Sequence, residues 1–210
     1  METTIAVSVK KSGFTDFFLR ENGLDSFEDF KEWLLCPEML MDASKKWWGD
    51  FGIRDVRHQG LDLCCYRTSK DKIIYLNGHT KIPAMYDGIL VGVINDFLGK
   101  SLILKHSIPG VEAGNFLTIY GHTHPVQSIH IGKAYREGET IARVADMDNS
   151  KSRVIPHLHL SIGLLSKPVP YARLNWESMS DPDTMRLIDP LQMIDRYSVV
   201  PSNELWNRNK

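Results

Sequence analysis

Cysteine is scarce in this chain: Cys36, Cys64 and Cys65 are the only three in 210 residues. Adjacent cysteines rarely bridge each other, so a disulfide framework is excluded and reduced thiols are expected. An excess of one charge is lacking too. Twenty-five basic and 26 acidic side chains leave a net charge of −1, which removes any global reason to expect nucleic acid or an anionic membrane surface as partner. No run of about 18 uncharged apolar residues occurs, so no membrane insertion is expected. The opening METTIAVSVKKSGFTDFF has neither a basic leading region nor a continuous apolar stretch, and no signal peptide is expected. Localisation is then the cell envelope if a leader was trimmed ahead of Met1, and the cytoplasm otherwise. Reduced thiols lean slightly toward the second. Repeats and low-complexity segments are absent as well.

What is present divides the chain by texture. Residues 14–50 read as helical: Ser26 is a candidate N-cap, Phe27, Phe30, Trp33 and Leu34 recur at helical spacing, and Pro37 stops one helix and opens another through PEMLMDASKKWW. This aromatic stripe predicts packing against the neighbouring domain. The segment would serve as a structural brace before it would serve as a dimer contact or a lid. From about Phe51 to Leu165, short β-rich runs alternate with glycines, in GILVGVIND, KSLILKH, NFLTIYGH, ETIARVAD and VIPHLHLSIG. They predict a mainly β, antiparallel unit, a sandwich or barrel. Residues 166–210 read as a meandering tail with one short helical piece near DPLQMIDRY. The expected division is a helical extension over 1–50, a β domain over 51–197 and a C-terminal tail over 198–210.

The histidines carry the chemical signal. In a strand, residues i and i+2 share a face, so His157 and His159 of PHLHLSI project together while Leu158 and Leu160 fill the other side. Buried imidazoles need partners, because an unpaired polar group in apolar surroundings costs on the order of 1–3 kcal/mol. A metal fits that need, and so do ordinary hydrogen bonds. In RHQGLDL, His58 and Asp62 stand four apart around Gly60; both are ordinary zinc ligand types, and His159 or His157 could supply the third of a site with an open position for water. A surface ion pair is the plainer alternative. In IYGHTHP, Tyr120 and His122 are expected on one strand face, with His124 just before Pro125. Three clusters thus hold five of the eight histidines. His79, His106 and His130 sit beside turn residues and read as structural or solvated. Cys64 and Cys65 lack the C-x-x-C spacing of thiolate ligands.

The order of the pieces RHQGLD, IPAMYDGILVGV, NFLTIYGH, IHIGKAYREGETIARV and PHLHLSI closely resembles the lysostaphin/LytM-type zinc metallopeptidases, which cleave the peptide cross-links of bacterial cell walls. The resemblance covers roughly residues 54–165, with LIDPLQMI near 187–194 similar to the closing segment. It implies an antiparallel β fold of the duplicated hybrid motif type. It implies one zinc ion per chain held by His58, Asp62 and His159, with His122 and His157 catalytic. It also implies a peptide or peptidoglycan substrate, cut by a zinc-activated water with the two histidines acting as general base and as stabiliser of the tetrahedral intermediate. Two departures stand out. LCCYRTSKDKIIYL is longer than the family's link and could add a hairpin near the metal, and VADMDNSKSRV ahead of H-x-H is bulkier than the family's small residues.

Two other classes compete with an active endopeptidase. One is a non-catalytic LytM-like relative that binds or regulates a cell-wall hydrolase; such relatives typically lose metal ligands, whereas His58, Asp62 and His159 are all kept. The other is a phosphocarrier domain with the same motif, which would have no need of the carboxylate of H-x-x-x-D.

Overall fold

A computed structural model describes residues 10–24, 29–108, 115–127, 129–146 and 154–206. The chain is mainly β and mainly antiparallel. Among the described residues its strands are β1 (Glu32–Leu35), β2 (Leu61–Leu63), β3 (Cys65–Arg67), β4 (Ile73–Tyr75), β5 (Lys81–Pro83), β6 (Gly88–Asn95), β7 (Lys100–His106), β8 (Phe116–Pro125), β9 (Ala134–Tyr135), β10 (Thr140–Val144), β11 (Leu158–Leu165), β12 (Met185–Ile188) and β13 (Tyr197–Val199). The large sheet runs β12-β11-β8-β7-β6-β9, with β2 paired to β11 and β10 bridging β5 and β8. A small sheet runs β13-β1-β3-β4, and its β1–β13 pair is parallel.

Alternation decides what each strand buries. On β11, Leu158, Leu160 and Ile162 enter the main core beside Tyr120, Leu102 and Leu104. The opposite side carries His159 and Ser161, as the i, i+2 pattern predicts. β11 also pairs with β8 through six consecutive partners, from His159↔Gly121 to Leu164↔Phe116. His159 therefore stands on a strand hydrogen-bonded on both flanks.

The helical reading of residues 14–50 is corrected. The helix is confined to α1, Phe14–Asn22, and Gly23 ends it at φ 66, in the left-handed region that a glycine enters without steric cost. Ser26 and Phe27 lie outside the described residues. Residues 32–35 form β1, 37–39 make a single 3-10 turn, and 40–50 run irregularly. The reason is burial on both sides: Trp33 and Leu35 face the main core, while Leu34 and Cys36 face a second cluster with Trp47, Cys64 and Cys65. A short run with both faces buried has no period that separates strand from helix, and pairing with β13 and β3 settles it. The predicted packing of the aromatics against the following segment holds for Phe30 and Trp33, whose rings lie 5.1 Å and 6.4 Å from Tyr66, centroid to centroid.

The C-terminal stretch is more ordered than a meander. β12 extends the large sheet, α2 (Trp176–Ser180) is capped by Asn175, and Pro190–Gln192 supplies the short helical piece as a 3-10 turn. α3 (Ser202–Leu205) follows β13. The extra residues after Asp62 do form a hairpin, β3–β4, which joins the small sheet. All three cysteines are free and buried, and burial pushes the Cys36 thiol up to about 11.

Candidate metal centre

Gly60 is what allows His58 and Asp62 to meet the strand that carries His159. A Cβ at Gly60 would lie 2.3 Å from the Leu160 carbonyl oxygen and 2.7 Å from Ser161 Oγ, so only glycine lets the loop before β2 press against β11. The loop is tied on its other side, His58 N–H donating to Ala43 O at 3.1 Å and Asp42 N–H to His58 O at 2.8 Å. β2 then places Asp62 directly across from His159. The three side chains are buried together, and His58 Nε2, Asp62 Oδ1 and His159 Nδ1 converge. His58 Nε2 and His159 Nδ1 lie 3.1 Å and 2.8 Å from Asp62 Oδ1, and 3.1 Å from each other.

The chemistry of these donors fits a cation. His58 Nδ1–H donates to the Leu40 carbonyl at 2.9 Å, so the neutral ring presents a bare lone pair at Nε2. His159 Nε2 is 3.0 Å from Ser161 Oγ; when it donates there, Nδ1 is bare as well. Two lone pairs and a carboxylate oxygen then point at one another, an arrangement that a metal ion satisfies. Tetrahedral zinc at about 2.0–2.1 Å from each ligand needs donors about 3.3 Å apart, close to the spacings seen. The group His58, Asp62 and His159 can therefore hold a metal ion.

Electrostatics follow from burial. Desolvation alone would raise the Asp62 carboxyl, but the imidazoles of His58, His157 and His159 gathered around it outweigh that cost and hold it well below the usual carboxylate range. Burial lowers His159 to about 4 and His157 to about 3, against the opposing pull of Asp62. These two rings are neutral at physiological pH, so each can offer a nitrogen lone pair.

His157 and His122 complete a five-residue constellation. His157 Nδ1–H donates to Ile155 O at 2.8 Å, which leaves Nε2 facing inward, 3.8 Å from Asp62 Oδ1. His122 lies 4.8 Å from His157 and 5.8 Å from His159 between ring centroids. Its position is not the one that strand alternation predicts. Tyr120 turns into the core, its hydroxyl accepting Met85 N–H at 2.8 Å, and the two residues do not share a face. His122 takes φ 60, a costly backbone for a non-glycine residue, and so leaves the alternation and reaches the cleft. Asp96 secures that turn by accepting His122 N–H at 3.0 Å and Ser101 Oγ–H at 2.7 Å. Its Oδ1 lies 3.3 Å from His122 Nδ1. Desolvation opposes the Asp96 carboxylate, but these contacts with His122 and Ser101 keep its pKa far below the ordinary range.

Sequence reasoning missed four residues at the site. Trp47 Nε1–H donates to Asp62 Oδ2 at 2.7 Å, Arg54 Nη2 is 3.7 Å from the same oxygen, Asp96 backs His122, and the Trp176 ring stands 5.1 Å from His159. No spacing announces them, although Asp96 sits in the turn of VINDFLGK, where an acid can cap the loop; its Oδ1 accepts Leu98 N–H at 2.9 Å. The centre opens into a cleft of about 580 Å³ walled by Trp48, Val56, Arg57, Phe97, Trp176 and Glu177. Residues 64–76, including the β3–β4 hairpin, do not line it. His79, His124 and His130 are exposed, and His106 is buried away from the cleft.

No family model and no curated protein matches this sequence. Solved structures similar to it include Csd3 of Helicobacter pylori, at 19% identity and a TM-score of 0.38 over 69% of this chain and 38% of that one. Lysostaphin, in a solution structure, is similar at 21% identity and a TM-score of 0.40 over 59% and 44%. The catalytic domain of the antimicrobial peptidase lysostaphin from Staphylococcus simulans is similar at 15% and 0.40 over 79% and 92%. The chain spans less than half the length of the first two. Among the described residues no helix is long and apolar enough to cross a membrane.

Proposed function

We propose that the protein is a zinc-dependent endopeptidase that hydrolyses peptide amide bonds. The observation that carries this reading is the convergence of His58 Nε2, Asp62 Oδ1 and His159 Nδ1 within 3.1 Å of one another at the floor of an open cleft. Zinc supplies a Lewis acid for the scissile carbonyl and brings the pKa of a bound water toward about 7. Everything else is assigned to side chains. His157 accepts a proton at Nε2, the nitrogen that its bond to Ile155 leaves bare. His122 faces the same space and donates to the oxyanion that develops on the substrate. Asp96 holds the His122 backbone in the conformation that aims the ring.

The substrate class implied by the motif resemblance is the peptide cross-link of peptidoglycan. The apolar rim of Trp48, Val56, Phe97 and Trp176 favours a peptide with some apolar surface beside the scissile bond. Purified cell walls and a set of cross-linked peptides, incubated with the protein with and without a chelator and followed by mass spectrometry, test the reading. Cleavage that stops on chelation and returns with zinc supports it; cleavage indifferent to the chelator overturns it.

A further inference from the structure

We propose that Trp47 is a positioning residue for the metal centre: its indole N–H claims one oxygen of Asp62 so that the other alone faces the ion, and Trp206 locks Trp47 in that pose. The inference rests on the His58, Asp62 and His159 donor set of the proposed function.

The two oxygens of Asp62 have separate surroundings. Oδ1 meets His58 Nε2 and His159 Nδ1 at 3.1 and 2.8 Å. Oδ2 receives the Trp47 N–H at 2.7 Å, with Arg54 Nη2 behind it at 3.7 Å. Arg54 is itself fixed, donating from Nε to Lys45 O and from Nη2 to Glu38 O, both at 3.1 Å. A buried hydrogen bond from indole to carboxylate is charge-assisted and short, and it fixes the rotation of the carboxyl group. The carboxylate is thereby held as a one-oxygen ligand. Rotation toward two-oxygen binding would break the Trp47 bond and leave a buried N–H unpaired.

Trp47 is itself held by groups distant in sequence. Its ring stacks on Trp206 at 5.2 Å and 13° and meets His157 edge-on at 5.0 Å and 83°, so one indole contacts both the Asp62 carboxylate and the His157 imidazole. Trp206 is anchored through α3: its backbone N–H donates to Ser202 O at 2.9 Å, and the preceding Leu205 carbonyl accepts Tyr75 Oη–H at 3.0 Å. The end of the described chain thus reaches the metal centre through two stacked rings.

The test measures zinc affinity of the full chain by competition with a chromophoric chelator, and the visible absorption of the cobalt-loaded protein, for wild type, Trp47→Phe and Trp206→Phe. Trp47→Phe keeps an aromatic ring and removes the N–H. It is expected to weaken zinc binding by about 10–100-fold and to lower the intensity of the cobalt bands, as a second carboxylate oxygen joins the ion. Trp206→Phe shrinks the ring that holds Trp47 in place and is expected to weaken zinc binding in the same direction by a smaller factor; wild-type affinity in this variant overturns the lock assigned to Trp206. A folded Trp47→Phe protein with wild-type affinity and an unchanged cobalt spectrum overturns the inference while leaving the proposed function standing. Wild type that takes up no zinc overturns both. Should Trp47→Phe fail to fold, the indole N–H resonance of Trp47 in wild type decides: protection from solvent exchange and a shift on zinc titration support the inference, and a freely exchanging, unshifted resonance overturns it.

Discussion

His106 and His157 are buried alike, each 2% exposed, and each donates Nδ1–H to a backbone carbonyl at 2.8 Å, Asp87 O in one case and Ile155 O in the other. The difference lies at the second nitrogen. His106 Nε2 is met by Thr118 Oγ1 at 2.7 Å, inside a polar chain that continues from Thr118 to Tyr120 Oη at 3.2 Å. Among the described residues, the polar group facing His157 Nε2 is a carboxylate oxygen at 3.8 Å, with an open cleft in front of it. A buried histidine whose two nitrogens are both spent is architecture; one with an unspent nitrogen beside a cleft is chemistry.

Removing the histidines of each region in turn separates their roles. His159→Ala deletes a metal donor and is expected to lower zinc affinity by on the order of 10³-fold or more, with peptide cleavage lost alongside. His157→Ala keeps all three donors, so zinc stays bound while kcat/KM falls by about 10²–10⁴-fold. His106→Ala leaves kcat/KM per folded molecule within about two-fold and instead costs about 1–3 kcal/mol of stability, because Thr118 Oγ1 and the Asp87 carbonyl each lose a hydrogen-bond partner. Metal content, steady-state cleavage and denaturant unfolding separate the three. Equal kinetic losses for His157→Ala and His106→Ala would erase the distinction drawn between them.

Zinc itself sharpens the contrast by a somewhat smaller amount. Zinc in excess by about 1,000 times its dissociation constant stabilises the native state by about 4 kcal/mol. That gain is expected to vanish in His159→Ala and to persist undiminished in His106→Ala, read as the change in unfolding midpoint on adding zinc to chelator-treated protein. A gain that survives loss of His159 would place the metal elsewhere.

The His58/Asp62 and His157/His159 pairs were legible in local spacing, whereas the order of the motifs along the chain is what joined the two pairs to each other and to His122. His58 and Asp62 flank a glycine that the packing on β11 requires, and His157 and His159 obey strand alternation between two buried leucines. What was illegible depends on encounters between distant segments. Trp47 looks like any core tryptophan until β2 brings Asp62 to its N–H. Asp96 looks like a turn residue until β8 departs from alternation at His122, whose φ of 60 no spacing rule anticipates. The same cause misled the reading of residues 29–35: Trp33 and Leu34 recur at helical spacing, yet they serve opposite faces of a strand that exists only because Tyr197–Val199 and Cys65–Arg67 flank it. Local pattern identifies a pair of candidate donors when the two lie within a few residues of one another, and is silent on a partner that arrives from another part of the chain, as Trp47 does at Asp62.

The smallest effect comes from pH, and it concerns the silent histidine. Burial lowers His106 from 6.5 to about 4. Above pH 6.5 the ring is neutral whether the chain is folded or not, and its titration contributes nothing. As pH falls below 6.5 the unfolded chain binds a proton at this ring while the folded chain does not until about 4, so unfolding gains free energy and stability declines through that window. At about 1.4 kcal/mol per pH unit, the loss from this one group approaches about 3 kcal/mol near pH 4. His157 and His159 shift in the same direction, so the total loss in metal-free protein is larger, and His106 is isolated by difference. With chelator present, the stability gap between wild type and His106→Gln is expected to shrink by about 2–3 kcal/mol between pH 7 and pH 4.5, because glutamine binds no proton. A gap that stays constant across that range would mean that His106 is charged or solvated in the native state, and its likeness to His157 would then end at burial.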